Sequence, residues 1–136
     1  MTLPVVVDAS AGVEIALRTT DGQRLVAHVR GRMPHVPDVF YVEAAAALRR
    51  MENRGLLTAT AAWDAVHHLH GWRARVAASR QLLFAAWTLR HDLTVPDAIY
   101  VVLARQLGAV LVTGDRRLAA APRLGVTVHT PSDTPE

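Results

Sequence analysis

Two short runs limit what this chain can fold into: Leu3-Pro-Val-Val-Val7 and Ala109-Val-Leu-Val112, both apolar throughout rather than alternating. A strand of that kind is buried on both faces, so helices must lie above and below the sheet, and the strands run parallel. The sequence between the two runs supplies the helices. Apolar spacing and stop signals predict helices over 10–18 capped by Ser10, 21–30 capped by Asp21, 37–54 opened by Pro37 and stopped by Gly55, and 59–70 capped by Thr58. Further helices are expected over 79–91 capped by Ser79, over 95–107 between Thr94 and Gly108, and over 115–121. His35-Val36 reads as a very short strand or a linker, and 74–77 and 126–128 as extended pieces. The chain has 136 residues, no internal repeat and no linker-like stretch. Residues 1–130 therefore form one α/β domain around a central parallel sheet, with 131–136 as a flexible tail.

Composition removes several chemistries. The chain has no cysteine and no lysine. Disulfides, thiolate metal sites, a cysteine nucleophile, a Schiff-base lysine and a Walker A lysine are all excluded. At 51% hydrophobic and 20% charged it is far from a disordered composition. Apolar runs such as Ala98 to Ala104 fall well short of the roughly 18 residues that span a bilayer. No basic stretch precedes the N-terminal apolar run, and Asp8 interrupts it. Neither a signal peptide nor a membrane partner is expected, and the cytoplasm is the expected location. All 15 cationic residues are arginine. Beside 23 alanines and one asparagine, that is partly a GC-rich coding effect, and the net charge of +3 permits a phosphate-rich partner without requiring one.

Four carboxylates stand in unusual places. Asp8 ends the Val5-Val6-Val7 run, and Asp115 follows Leu111-Val112 after Thr113-Gly114, so both fall at the carboxyl ends of central strands, where open α/β sheets hold ligands. Glu43 has Val39, Phe40, Ala46 and Ala47 three and four positions away, an apolar helix face on which a glutamate needs a partner. Asp97 opens the helix that carries Ala98 to Ala104. Each also has a plain role open to it. Asp8 and Asp115 are plausible helix caps, Asp97 completes a Thr94-x-x-Asp97 capping box, and Glu43 can pair with Arg50 two turns on. If the four converge on one crevice, two charges about 4 Å apart cost roughly 4 kcal/mol at an effective dielectric of 20, and a cation is the usual remedy. With carboxylate oxygens as the only donors, no cysteine and no His-x-x-x-His pair nearby, that cation is Mg²⁺ or Mn²⁺ rather than zinc.

These residues and their surroundings resemble the PIN-domain ribonucleases, specifically the VapC-type toxins of bacterial toxin–antitoxin modules. The resemblance rests on Val6-Val-Asp8-Ala-Ser10, on Pro37-Asp-Val-Phe-Tyr-Val-Glu43 with Leu48-Arg49-Arg50, on Asp97-Ala-Ile-Tyr-Val-Val-Leu-Ala104, and on Leu111-Val-Thr-Gly-Asp115-Arg-Arg-Leu118. The resemblance extends over essentially the whole chain. The resemblance implies an α/β/α sandwich and a metal-dependent endoribonuclease in which metal-activated water attacks an RNA phosphodiester, leaving a 5′-phosphate and a 3′-hydroxyl. It makes Asp8, Glu43, Asp97 and Asp115 the acidic quartet, with Asp8 and Asp97 in direct contact with Mg²⁺ or Mn²⁺ and Glu43 and Asp115 binding directly or through water. Ser10 and Thr113 are then supporting hydroxyls. Some members carry a further acidic residue after the last aspartate. Here Arg116 and Arg117 follow, so one ion is expected rather than two. A small cognate antitoxin and a homodimer are also implied by the resemblance.

Setting the quartet aside leaves 15 arginines against the eight remaining acids, about +7, which suits RNA. Arg116, Arg117, Arg49 and Arg50 are the candidate RNA contacts, against the plainer role of solvated or helix-end charges. Tyr41, Tyr100, Phe40 and the three tryptophans fall in apolar helical surroundings, which favours core packing or a dimer face over base stacking. His67, His68 and His70 read as exposed helix residues rather than a metal site. A haloacid-dehalogenase-like phosphatase would need a second aspartate where Ser10 stands, and a lysine that this chain lacks. A receiver-type signalling domain fails for the same missing lysine. The remaining alternative is a catalytically inert PIN-like module that binds RNA or protein.

Overall fold

The computed structural model describes residues 3–121 and 124–135. Five parallel strands, β1 (Pro4–Val7), β2 (Met33–Pro37), β3 (Arg75–Ala77), β4 (Val110–Val112) and β5 (Val128–His129), form one sheet in the order β3-β2-β1-β4-β5. Helices α1 (Ala9–Leu17), α2 (Thr20–Val29), α3 (Phe40–Asn53), α4 (Ala59–Gly71), α5 (Leu83–Trp87), α6 (Val95–Leu107) and α7 (Arg116–Ala120) complete an α/β/α sandwich. The chain builds outward from β1 through β2 to β3, then returns to place β4 on the other side of β1. The sheet direction therefore reverses between β1 and β4, and a crevice opens outside their carboxyl ends. Val6 pairs with Leu111 and Val7 with Val112, so Asp8 and Thr113 leave the sheet side by side.

The core explains the unbroken apolar runs. Val5, Val6, Val7, Leu111 and Val112 are sealed from solvent, as is Phe40 of α3. Every residue from Ala98 to Ala104 is buried, so α6 is covered all round, the condition under which a helix needs no polar face. At Gly12 an added Cβ would stand 2.5 Å from the Phe40 ring, and only glycine lets α1 and α3 approach so closely.

Several predicted boundaries move, each for a local reason. Asp8 caps α1 in place of Ser10, and Thr19 caps α2 in place of Asp21, its hydroxyl accepting from Gly22 N–H at 2.9 Å. The long helix starts at Phe40, because Pro37 is still in β2, opposite Ala77. Pro34 is tolerated in that strand. Met33 N–H donates to Leu3 across β1, so the Pro34 nitrogen faces β3, which begins only opposite His35. The single helix expected over 79–91 is instead a 3-10 turn, Ser79–Leu82, followed by the five-residue α5. There the N–H groups of Thr88, Leu89 and Arg90 bond three residues back, and the Thr88 hydroxyl takes the Ala85 carbonyl at 2.6 Å, which ends α-helical bonding. Among the described residues no helix is long and apolar enough to cross a membrane.

Candidate active site

The four singled-out carboxylates arrive from four different elements and line one cleft of about 200 Å³, together with Ala9, Ser10, Ala47, Arg50 and Tyr100. Asp8 lies between β1 and α1, Glu43 in the first turn of α3, Asp97 in the first turn of α6, and Asp115 at the start of α7. The capping roles are real as well. Asp8 caps α1, Asp115 caps α7, and Asp97 offers its N–H to the Thr94 hydroxyl at 3.3 Å. Cap and cleft do not compete: α1 and α6 point their N-terminal ends, which favour negative charge, at the same crevice.

Asp8 is the anchor, 5% exposed and gripped on both oxygens. Oδ1 accepts from Ser10 Oγ at 2.7 Å and Ala11 N–H at 2.9 Å, and Oδ2 accepts from the Thr113 hydroxyl. The two hydroxyls share one logic. Ser10 Oγ accepts the Gly114 N–H at 2.9 Å and Thr113 Oγ1 accepts the Asp115 N–H at 3.0 Å, so each hydroxyl proton is directed to Asp8. The Ser10 and Thr113 oxygens stand 3.3 Å apart with both protons committed elsewhere. Through this bridge the carboxyl ends of β1 and β4 are tied together around one carboxylate. Burial nevertheless pushes Asp8 up to about 6, against the opposing pull of Thr113, Ala11 and Ser10, and Asp97 adds to the rise. Asp97 is also raised, first by burial and further by Asp115, with the Thr94 hydroxyl and Arg117 opposing.

Glu43 departs from expectation. Its partner is the Tyr100 hydroxyl, which donates to Oε1 at 2.7 Å, rather than Arg50. The apolar surroundings of Tyr100 point to core packing or a dimer face, and its place three positions after Asp97 is the signal that puts both on one face of α6. Among the candidate arginines, Arg50 lines the cleft, and Arg117 reaches Asp115 Oδ1 through its backbone N–H at 2.9 Å and Nε at 3.4 Å. Arg116 turns away, to Ser132 Oγ at 3.0 Å and Asp21 at 3.8 Å, and Arg49 is exposed on α3 outside the cleft lining. Trp63 and Trp87 are largely exposed, which removes core packing for these two rings and leaves the dimer-face alternative. His67, His68 and His70 are exposed, with the His67 ring edge-on to Trp63.

Every side chain in the cleft able to bind a cation offers oxygen, which fits a hard divalent ion. Among the described residues, no three histidine, cysteine, aspartate or glutamate side chains gather closely enough to enclose one.

The PIN domain family matches residues 5–124, and the chain belongs to it. Within that family it is 40% identical over 118 residues to ribonuclease VapC3 of Mycobacterium tuberculosis, covering 86% of each chain, and it falls with the VapC ribonucleases. The structure of PAE2754 from Pyrobaculum aerophilum superposes with a TM-score of 0.66 at 26% identity, covering 93% of this chain and 83% of that one. A chain of VapBC2 from Rickettsia felis, solved bound to a DNA fragment from the promoter, gives 0.65 at 11% identity over 93% of this chain and 98% of its own, a likeness of fold alone.

Proposed function

We propose that this chain is a Mg²⁺- or Mn²⁺-dependent endoribonuclease toxin, neutralised by a small cognate antitoxin and working in the cytoplasm. The observation that carries the reading is the convergence of Asp8, Glu43, Asp97 and Asp115 on one cleft at the sheet's reversal point, in a chain akin to ribonuclease VapC3. A divalent ion bound there would offset the carboxylates' mutual repulsion and supply a water of lowered pKa for in-line attack on a phosphodiester. Ser10 and Thr113 fix Asp8 so that it need not reorganise when charge enters the cleft. Arg50 and Arg117 stand at the cleft to meet RNA phosphates, with Arg49 and Arg116 further out as weaker contacts. The chain pairs with a second copy through the apolar groove between α3, α5 and α6, where Val42 and Leu83 are exposed, together with Phe84 and Trp87, exposed on α5 outside the groove lining.

Total RNA incubated with Mg²⁺ or Mn²⁺ should be cleaved by the wild type, and EDTA or Asp97→Asn should stop it. Cleavage that persists in both controls sinks the metal-nuclease reading, and RNA binding without any cleavage favours the inert binding module. Induced expression should arrest growth and Asp8→Asn should relieve the arrest; equal harm from both forms removes the toxin role.

A further inference from the structure

Tyr100 is only 2% exposed, yet its hydroxyl lies in the acidic cleft rather than in the apolar core. The phenol proton goes to Glu43 Oε1 at 2.7 Å. One hydroxyl thus joins the first turn of α3 to the second turn of α6. Glu43 needs such a tie more than its neighbours do. Asp8 is held by three donors and Asp115 by the Arg117 backbone, whereas Tyr100 is the one hydrogen-bonding partner of the Glu43 side chain among the described residues. A glutamate has three rotatable side-chain bonds, and holding it in one arrangement costs rotamer freedom unless something else fixes it.

We infer that Tyr100 is a positioning residue: it commits Oε1 of Glu43, so that Oε2 alone is presented to a cation or its water, and it places that oxygen relative to Asp8. The phenol is suited to a purely donating role. Burial, then the hydrogen bond and charge of Glu43, then the charge of Asp8, all hold its proton on far above the ordinary tyrosine range. Glu43 becomes a one-oxygen participant whose geometry is set from α6, the helix that also carries Asp97. The inference rests on the cation site proposed above and names the residue that orders it.

The test measures Mn²⁺ binding alone, without RNA, by calorimetry on the full chain. Tyr100→Phe keeps the ring and removes the hydroxyl, and it should weaken Mn²⁺ about 10-fold, the scale of an outer partner of a metal ligand. Cleavage at saturating Mn²⁺ should fall less than the affinity does. The decisive comparison is the cycle with Glu43→Gln: once Glu43 is lost, removing the hydroxyl should cost less than twofold. Unchanged affinity in Tyr100→Phe, or effects that multiply fully in the double variant, overturns the inference. If Tyr100→Phe does not fold, a crystal structure of the wild type with Mn²⁺ decides instead: Glu43 Oε1 kept on the Tyr100 hydroxyl with Oε2 toward the ion supports the inference, and both oxygens on the ion overturn it. Asp97→Asn separates the two levels. If the wild type binds Mn²⁺ no better than Asp97→Asn, the cation site itself fails and the inference with it. If Asp97→Asn loses binding and Tyr100→Phe does not, only the role of Tyr100 fails.

Discussion

Two concave regions meet at Glu43 and have little else in common. The acidic cleft is the smaller, about 200 Å³, and it is organised down to single protons: each oxygen of Asp8 has a donor, and each donor hydroxyl has an acceptor role of its own. The groove between α3, α5 and α6 is about 660 Å³ and is walled mainly by Val39, Val42, Leu83, Val95, Pro96 and Ile99, with little internal bonding. Size follows what is missing from the surface, and chemistry follows what is fixed in place. In the cleft, buried charge is held in position by the fold. In the groove, exposed apolar surface awaits cover.

The comparison would break most visibly at Asp8. Asp8→Asn should lower RNA cleavage by about 100-fold or more, the scale of losing a preorganised charged group. Relative to the wild type, the same change should gain stability in the cation-free fold between pH 4 and pH 7. The carboxyl stands near 6 in the folded chain against 3.8 as its ordinary value, so between these limits the folded state holds a proton that the unfolded state has released. This group is therefore neutral in its effect below about pH 4, and costs on the order of 3 kcal/mol once pH has passed 6. Burial lowers His28 and His35, so both are neutral in their effect above their ordinary value of 6.5 and cost stability as pH falls below it, but they are common to both proteins and cancel in the difference. Urea unfolding in EDTA at pH 4 and pH 7 reads that difference, and a gap that does not widen with pH means Asp8 is not a strained carboxylate.

Thr113→Val probes the organisation itself. Valine keeps the shape but leaves Asp8 Oδ2 without a donor and the Asp115 N–H without an acceptor, in a position sealed from solvent. A loss of about 2 kcal/mol in stability and of 10-fold or more in cleavage is expected. Ser10→Ala should act in the same direction by less, because Oδ1 keeps the Ala11 N–H. If Thr113→Val behaves like an ordinary surface change, the cleft is no more constrained than the groove.

Much of this was legible in the residues, for a physical reason. The runs through Val5-Val6-Val7 and Leu111-Val112 had to be buried on both faces, which fixed a parallel sheet and put Asp8 and Asp115 at its carboxyl edge. What stayed hidden depends on pairing across the chain. The Asp8–Thr113 bond spans 105 positions and the Glu43–Tyr100 bond spans 57, and no local pattern announces either. Arg50 was the plausible partner of Glu43 by helix spacing, and a tyrosine from another helix took the place. Trp63 and Trp87 look like core residues because their sequence neighbours are apolar, but on short or outer helices an apolar neighbourhood does not ensure cover.

The smallest effect on the folded chain should come from α5, which borders the groove through Leu83. On that helix Phe84 is 90% exposed and Trp87 is 56% exposed, with the Arg90 guanidinium 4.9 Å over the Trp87 ring. Since these rings are little buried, Phe84→Ala with Trp87→Ala should shift unfolding by no more than about 0.5 kcal/mol. Association is where the change should register. Aromatic anchors at an interface each contribute about 2 kcal/mol or more, so the double variant should sediment as a monomer at concentrations where the wild type is a dimer. Cleavage per folded subunit should remain, because the four carboxylates and their donors lie outside this face apart from Glu43. A wild type that is already monomeric assigns the groove to another partner. A variant that stays dimeric but loses cleavage shows that the groove reaches into the chemistry through Glu43, and the two regions are then one site.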